Sequence, residues 1–173
     1  LVQCLLPDAD PLHKVSIIPR GPYGGVTFSL PEKDRMTYGR NWIRCTLRIL
    51  CAGRIAEELT SHDVNTGASA DIRQATDMAR KMVVEWGMSD KVGFIYYGDD
   101  PERRNAWLDM PGGHEYSQIT AQAIDEEVKR LINEAYEDTR RMVNENRDKL
   151  ELIASALIKY ETLDAAEVHA LIR

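Results

Sequence analysis

The stretch "NTGASADIRQATDMARKMV", Asn65 to Val83, decides how the rest of the chain is read. Its first half is small and polar. In its second half and just beyond, Ile72, Ala75, Met78, Ala79, Met82, Val83 and Trp86 recur at three- and four-residue steps, with Arg73, Gln74, Asp77, Arg80, Lys81 and Glu85 between them. That is the apolar stripe of a helix laid against a core. Ser69 is placed to cap this helix and Gly87 to stop it. Asp71 sits where loop meets helix, and an acid in a first turn suits the positive end of the helix dipole. On local sequence alone Asp71 reads as a helix-start acid, and whether it also holds something stays open.

The chain has 173 residues, enough for one domain with a real core, or one domain with a helical appendage. The net charge is −6, with acids and bases interspersed, so no basic nucleic-acid surface is expected. Cys4, Cys45 and Cys51 are odd in number and lack CxxC spacing, which points to buried reduced thiols. No run reaches the length of a membrane span, and there is no signal peptide. The chain begins with Leu1 and so reads as a piece of something longer.

Working outward, "LVQCLLPDADPLH" at the start is a helix end followed by a Pro-limited loop. "KVSII" and "GVTFSLP" read as two strands joined by the turn "RGPYGG". A helix from about Thr37 to Leu59 carries Trp42, Cys45, Ile49, Ala52, Ile55, Ala56 and Leu59 on a broad face. Gly53 within it costs ~1 kcal/mol relative to Ala, which close packing would explain. Residues 88–116 are irregular, a surface loop or flap in which "VGFIYYG" is a candidate short strand. Ile124, Val128, Leu131, Ala135 and Met142 mark a helix from about Ser117 to Asn146, and Leu150, Ile153, Ala154 and Leu157 mark another. These two are expected as an antiparallel pair. "TLDAAEVHALIR" closes the chain as a short helix capped either at Thr162 or by an Asp164/Glu167 capping box. The expected fold is mainly α, with a small β-sheet or hairpin near residues 14–30 and a C-terminal helical bundle. The expected domains are a core over 1–116 with a flap-like loop at 88–116, and a helical subdomain over 117–173.

The histidines, His13, His62, His114 and His169, include no i, i+4 pair that would clamp a metal on a helix. His13 reads as a packing or hydrogen-bonding residue, His62 and His114 as solvent-exposed loop residues, and His169 as a residue of the terminal helix with no acidic or histidine partner at helical spacing. No nucleophile elbow, phosphate-binding loop or reactive-cysteine context is present. In "GRIAEEL", Glu57 and Glu58 point about 100° apart on a helix, so at most one faces inward. An inward carboxylate needs a cation, hydrogen-bond donors or a metal-bound histidine.

Several stretches together resemble one family. "DPLHKVSIIPRG", "GVTFSLPEKDR", "GRIAEEL", "NTGASADIRQAT", "ARKMVVEWGMSDKVG", "IDEEVKRLINEAY", "NRDKL" and "ALIKYETLDAAEV" are similar, in order and spacing, to the FtsH protease domain, peptidase family M41. The resemblance implies the proteolytic part of a membrane-anchored, ATP-dependent zinc metalloendopeptidase, a homo-hexamer that degrades unfolded and membrane proteins. It implies one zinc per subunit, ATP bound elsewhere in the full-length protein, and no nucleic-acid partner. Membrane anchoring would lie in segments absent from this chain, at a bacterial inner membrane with this domain facing the cytoplasm, or at an organelle membrane.

In such proteins two histidines of an H-E-x-x-H helix bind zinc and the glutamate between them is the general base. By this resemblance that motif lies just upstream of Leu1, so this chain carries no catalytic residue and alone is expected to be inactive. The aspartate matching the family's third zinc ligand is Asp71. Glu57 matches a glutamate that orients a zinc histidine, and Gly25, Val26, Thr27 and Phe28 match an edge strand that receives extended substrate. "NAWLDMPGGHEY" departs from the family's "FLG" stretch and puts the flap's detail in doubt. A non-catalytic pseudoprotease or assembly domain of the same fold is the alternative, although "GVTF" and "TGASAD" are intact.

Overall fold

The structure, a computed structural model, describes residues 1–31, 35–98 and 116–173. Its elements are α1 (Val2–Leu5), β1 (Leu12–Ser16), β2 (Val26–Ser29), α2 (Arg40–Ser61), a 3-10 turn at Thr66–Ala68, α3 (Ser69–Val84), α4 (Gln118–Glu145), α5 (Arg147–Tyr160), β3 (Thr162–Asp164) and α6 (Ala165–Ile172). The fold is mainly α with one small antiparallel sheet of order β2-β1-β3. The described chain forms two compact units, Leu1–Thr66 with Ala135–Arg173, and Gly67–Glu134.

In the first unit the sheet has three strands where the sequence pattern gives two. β3 is three residues long, too short to show alternation, and it forms because β1 offers its second edge to Thr162–Asp164. Ser16 Oγ accepts a hydrogen bond from Thr162 Oγ1 at 2.9 Å across that pair. On the other side Lys14 pairs with Phe28, Val15 with Thr27 and Ser16 with Val26, and the register shifts between Leu12 and Lys14. His13, expected to pack or to hydrogen-bond, is the extra residue of that bulge and is exposed, so of the two roles it does not take packing. The turn before β2 closes through reciprocal backbone bonds between Arg20 and Tyr23, with Gly21 at φ +59°. Gly25 follows, and a Cβ there would meet the Ser16 carbonyl oxygen at 2.7 Å, so only glycine lets β2 leave the turn this close to β1.

Leu12, Ile153, Leu157, Leu163 and Val168 form a buried cluster that joins β1, β3, α5 and α6. The Asp164/Glu167 capping box starts α6: the Asp164 carboxylate accepts from Glu167 N–H and the Glu167 carboxylate accepts from Asp164 N–H. The antiparallel pairing expected for α4 and α5 does not form. Asn146 alone separates them, and Asn146 N–H to Met142 O and Leu150 N–H to Asn146 O carry the helical bonding across it. That continuity leaves no room for a reversal, and α5 packs on α6 and β3.

α2 starts at Arg40, three residues later than periodicity suggests, with Gly39 as its N-cap and His62, in the left-handed conformation, as its C-cap. It buries Ile43, Cys45, Leu47, Cys51 and Ile55. α1 lies against it, and so does the later half of α4: Thr139 Oγ1 donates to Ala135 O and lies 3.3 Å from Arg48 O, while Arg48 pairs with Asp138 at 3.0 Å. The expected tight packing at Gly53 is absent. Among the described residues, nothing beyond its chain neighbours and the adjacent backbone of its own helix lies within 4 Å of where its Cβ would be. None of the three cysteines is in a disulfide, and burial pushes the thiols of Cys4 and Cys45 up. Ile55 is fully buried, so Ile55→Ala should cost about 2–5 kcal/mol, read as a lowered urea midpoint with unchanged slope. A loss below about 1 kcal/mol would mean that α2 is not a core helix.

In the second unit α3 buries Ala75, Ala79, Met82, Val83 and Val84. Ile72 and Trp86, expected on that stripe, are exposed. Trp86 lies past the helix end, where the 100° step no longer fixes direction. Gly87, at φ +58°, turns the chain so that Met88 N–H reaches Met82 O. "VGFIYYG" is not a strand: Gly93 N–H bonds Ser89 O and Tyr97 N–H bonds Val84 O, folding the segment back on α3. Ser89 anchors it to the early half of α4, donating to Glu127 Oε2 at 2.5 Å; both residues are buried. The Arg130 guanidinium grips the same carboxylate and holds it below the usual carboxylate range.

Candidate functional site

β2 is the outer strand of the sheet, and among the described residues nothing pairs with its far edge. The direction of its backbone groups follows from alternation in antiparallel pairs. Ile17 N–H bonds Glu161 O and Leu30 N–H bonds Pro11 O. With this register, Lys14 and Ser16 turn their backbone groups to β2, and Val15 turns its to β3. Val26 and Phe28 spend theirs on β1. Thr27 and Ser29 present N–H and C=O to the open edge. Gly25 lies just outside the strand. Phe28 is half-buried, with Lys14 Nζ 4.8 Å from its ring centroid and the Arg20 guanidinium at 5.9 Å.

The two glutamates near the end of α2 differ in how their oxygens are used. Glu58 accepts from Tyr136 Oη at 2.6 Å and from Arg140 Nη2 at 2.8 Å. Burial, with that hydrogen bond next, pushes the Tyr136 phenol up. Glu57 lacks such partners. Its Oε2 is buried without a hydrogen bond and faces Arg54 Nε at 4.0 Å, an atom equally buried and equally without one. Arg54 Nη2 donates to Asn65 O at 3.1 Å. Sequence reasoning separated the two glutamates only by family resemblance. Arg54 it did not single out, although the i, i+3 spacing in "GRIAEEL" was available.

Asp71 is in the first turn of α3. The helix begins at Ser69 itself, behind the 3-10 turn, so Ser69 is not the N-cap; that position is Ala68, with no side-chain capping bond. The Asp71 carboxyl is half-buried, and burial pushes its pKa up. Among the described residues no hydrogen bond or ion pair reaches it. A carboxylate that is desolvated yet uncompensated has the donor chemistry that a bound cation satisfies. Among the described residues there is no cluster of three His, Cys, Asp or Glu, so these residues fit a metal as contributors of one ligand, not of a whole site. His62 and His169 are exposed. His114 and most of the expected flap lie outside the described residues.

A model of peptidase family M41 matches residues 1–171. The chain is 44% identical over 173 residues to the ATP-dependent zinc metalloprotease FtsH 2 of Methylacidiphilum infernorum, covering all of this chain and 27% of that protein. It is 42% identical over 173 residues to the ATP-dependent zinc metalloprotease FtsH of Nitrosococcus oceani, again over all of this chain and 27% of the relative. With the ATP-dependent zinc metalloprotease FtsH 4 of Sorangium cellulosum the identity is 45% over 95% of this chain and 26% of the relative. The chain thus spans about a quarter of the length of the curated relatives it matches.

Proposed function

The chain belongs to peptidase family M41, and from that premise we propose that it is the proteolytic part of an ATP-dependent zinc endopeptidase acting on unfolded polypeptides. The observation that carries the reading is the uncompensated, half-buried carboxylate of Asp71 in the first turn of α3. Asp71 supplies one oxygen ligand to zinc. Glu57, with a buried oxygen left to accept, takes the free ring N–H of a zinc-binding histidine and fixes that ring. When bound, the zinc ion polarises the scissile carbonyl and activates the attacking water. The Thr27 and Ser29 backbone groups hold the substrate as an added strand, which reads main chain and tolerates many sequences.

These 173 residues contain no H-E-x-x-H motif. The histidine ligands and the general base therefore come from residues outside them, and the 173 residues by themselves should not cleave protein. The active form is a homo-hexamer fed with unfolded chain by an ATP-driven domain outside these residues. Among the described residues no helix is long and apolar enough to cross a membrane, and anchoring likewise belongs to other segments.

The test is metal removal on a protein extended to include an H-E-x-x-H segment. Cleavage of an unfolded fluorescent casein should disappear on complete chelation and return with about one equivalent of zinc per chain. Cleavage that survives metal-free dialysis, or absence of cleavage in a zinc-loaded, folded extended protein, would refute the proposal.

A further inference from the structure

Glu57 and Glu58 are neighbours on one helix, yet one is saturated and the other is not. Glu58 has a hydrogen bond on each oxygen, from Tyr136 and from Arg140. Glu57 Oε2 has a cation opposite it at 4.0 Å, too far for a hydrogen bond and close enough for charge attraction. Both atoms of that contact are buried and unpaired. A buried N–H and a buried carboxylate oxygen that face each other would normally close the gap, because leaving either unmade is costly. Arg54 does not close it. Its Nη2 is committed to the Asn65 carbonyl at 3.1 Å. Asn65 opens the loop that runs through the 3-10 turn Thr66–Ala68 into α3 and Asp71.

We infer that Arg54 is a positioning residue for the proposed metal site. Its planar guanidinium is fixed by the Asn65 carbonyl while its Nε faces Glu57 Oε2 from 4.0 Å, which orients the carboxylate and leaves Oε2 free to accept a histidine N–H. Lysine carries three donors on one flexible ammonium and lacks the planar fork, so it holds the carbonyl and the carboxylate together less well. This inference rests on the zinc reading above.

The experiment uses the full-length protein and measures zinc affinity by competition with a metal indicator, alongside kcat and KM for a fluorogenic peptide. Arg54→Met should weaken zinc about tenfold, lowering kcat while KM stays within about twofold. Arg54→Lys should lose about threefold. Glu57→Gln should weaken zinc about ten- to a hundredfold, and Arg54→Met added to it should cost no more than about a further twofold, since the arginine then has no carboxylate to orient. Unchanged zinc affinity in Arg54→Met, or losses that simply multiply in the double variant, would overturn the inference. If Arg54→Met does not fold, Arg54→Lys takes its place, alone and combined with Glu57→Gln, and unchanged affinity or multiplying losses overturn the inference in the same way. Asp71→Asn tells the two possible failures apart. Zinc held normally by Asp71→Asn defeats the zinc reading itself. Zinc lost by Asp71→Asn but retained by Arg54→Met defeats only the role of Arg54.

Discussion

Asp71→Asn, in the protein extended to carry the H-E-x-x-H segment, should lose more than about a hundredfold in cleavage rate, beyond the ten- to hundredfold typical of a group that only orients a ligand. Bound zinc should fall in parallel, read by elemental analysis after gel filtration. The substitution keeps shape and keeps a side chain that tolerates a helix start. The fold should hardly notice it. The Asp71 carboxylate makes no capping bond, and its surroundings penalise its charge. Against this stands a favourable helix-dipole interaction of about 0.3–1 kcal/mol. The two act in opposite directions, so the metal-free melting temperature should move by no more than a few degrees. A helix-start acid and a metal ligand thus give opposite results. The first leaves activity near normal, and the second removes it without unfolding the chain. Full activity with full zinc occupancy would return Asp71 to the role of a helix-start acid.

Periodicity made the long helices legible because their stripes run for several turns. It failed where position depended on partners far along the chain. β3 has three residues and exists only through β1. The buried stripe of α4 includes Glu127 and Thr139, polar residues that hydropathy assigns to the surface; Ser89 and Arg130 satisfy the first, and backbone carbonyls the second. Ile72 and Trp86 failed in the opposite way, being apolar at helical spacing yet exposed. The site was legible to the same degree. Residue types alone left Asp71 a helix-start acid and gave no way to choose between Glu57 and Glu58. The family resemblance singled out Asp71 and Glu57, but the different environments of the two glutamates appear only once Tyr136, Arg140 and Arg54 are in place. For β2 the alternation of "GVTFS" gave two sets of residues. It could not say which set turns its backbone outward, because that depends on pairing with β1 and on the bulge at His13.

That backbone direction makes two neighbouring proline substitutions unequal. Thr27→Pro should keep the fold and the zinc and lose at least about tenfold in kcat/KM for peptides, the equivalent of about 1.4 kcal/mol of transition-state binding. Thr27 N–H points to the open edge of the sheet, so proline there removes no bond to β1. It removes a donor that an added strand would use, and its ring occupies the same edge. Proline is tolerated on an edge strand when its nitrogen faces solvent, and Thr27 is exposed. Val26→Pro has a different consequence. Val26 N–H belongs to the ladder with β1, opposite Ser16, and losing it should appear first as a lowered melting temperature. Thr27→Ala is the control, because it deletes the side chain and leaves the N–H; its peptide kinetics should stay close to the parent. The decisive pattern is Thr27→Pro impaired at least about tenfold but folded, beside Thr27→Ala close to the parent, since side-chain recognition predicts that alanine suffers too. If Thr27→Pro cleaves as well as the parent, substrate does not pair with β2, and the sequence tolerance expected of backbone recognition has to arise on another surface.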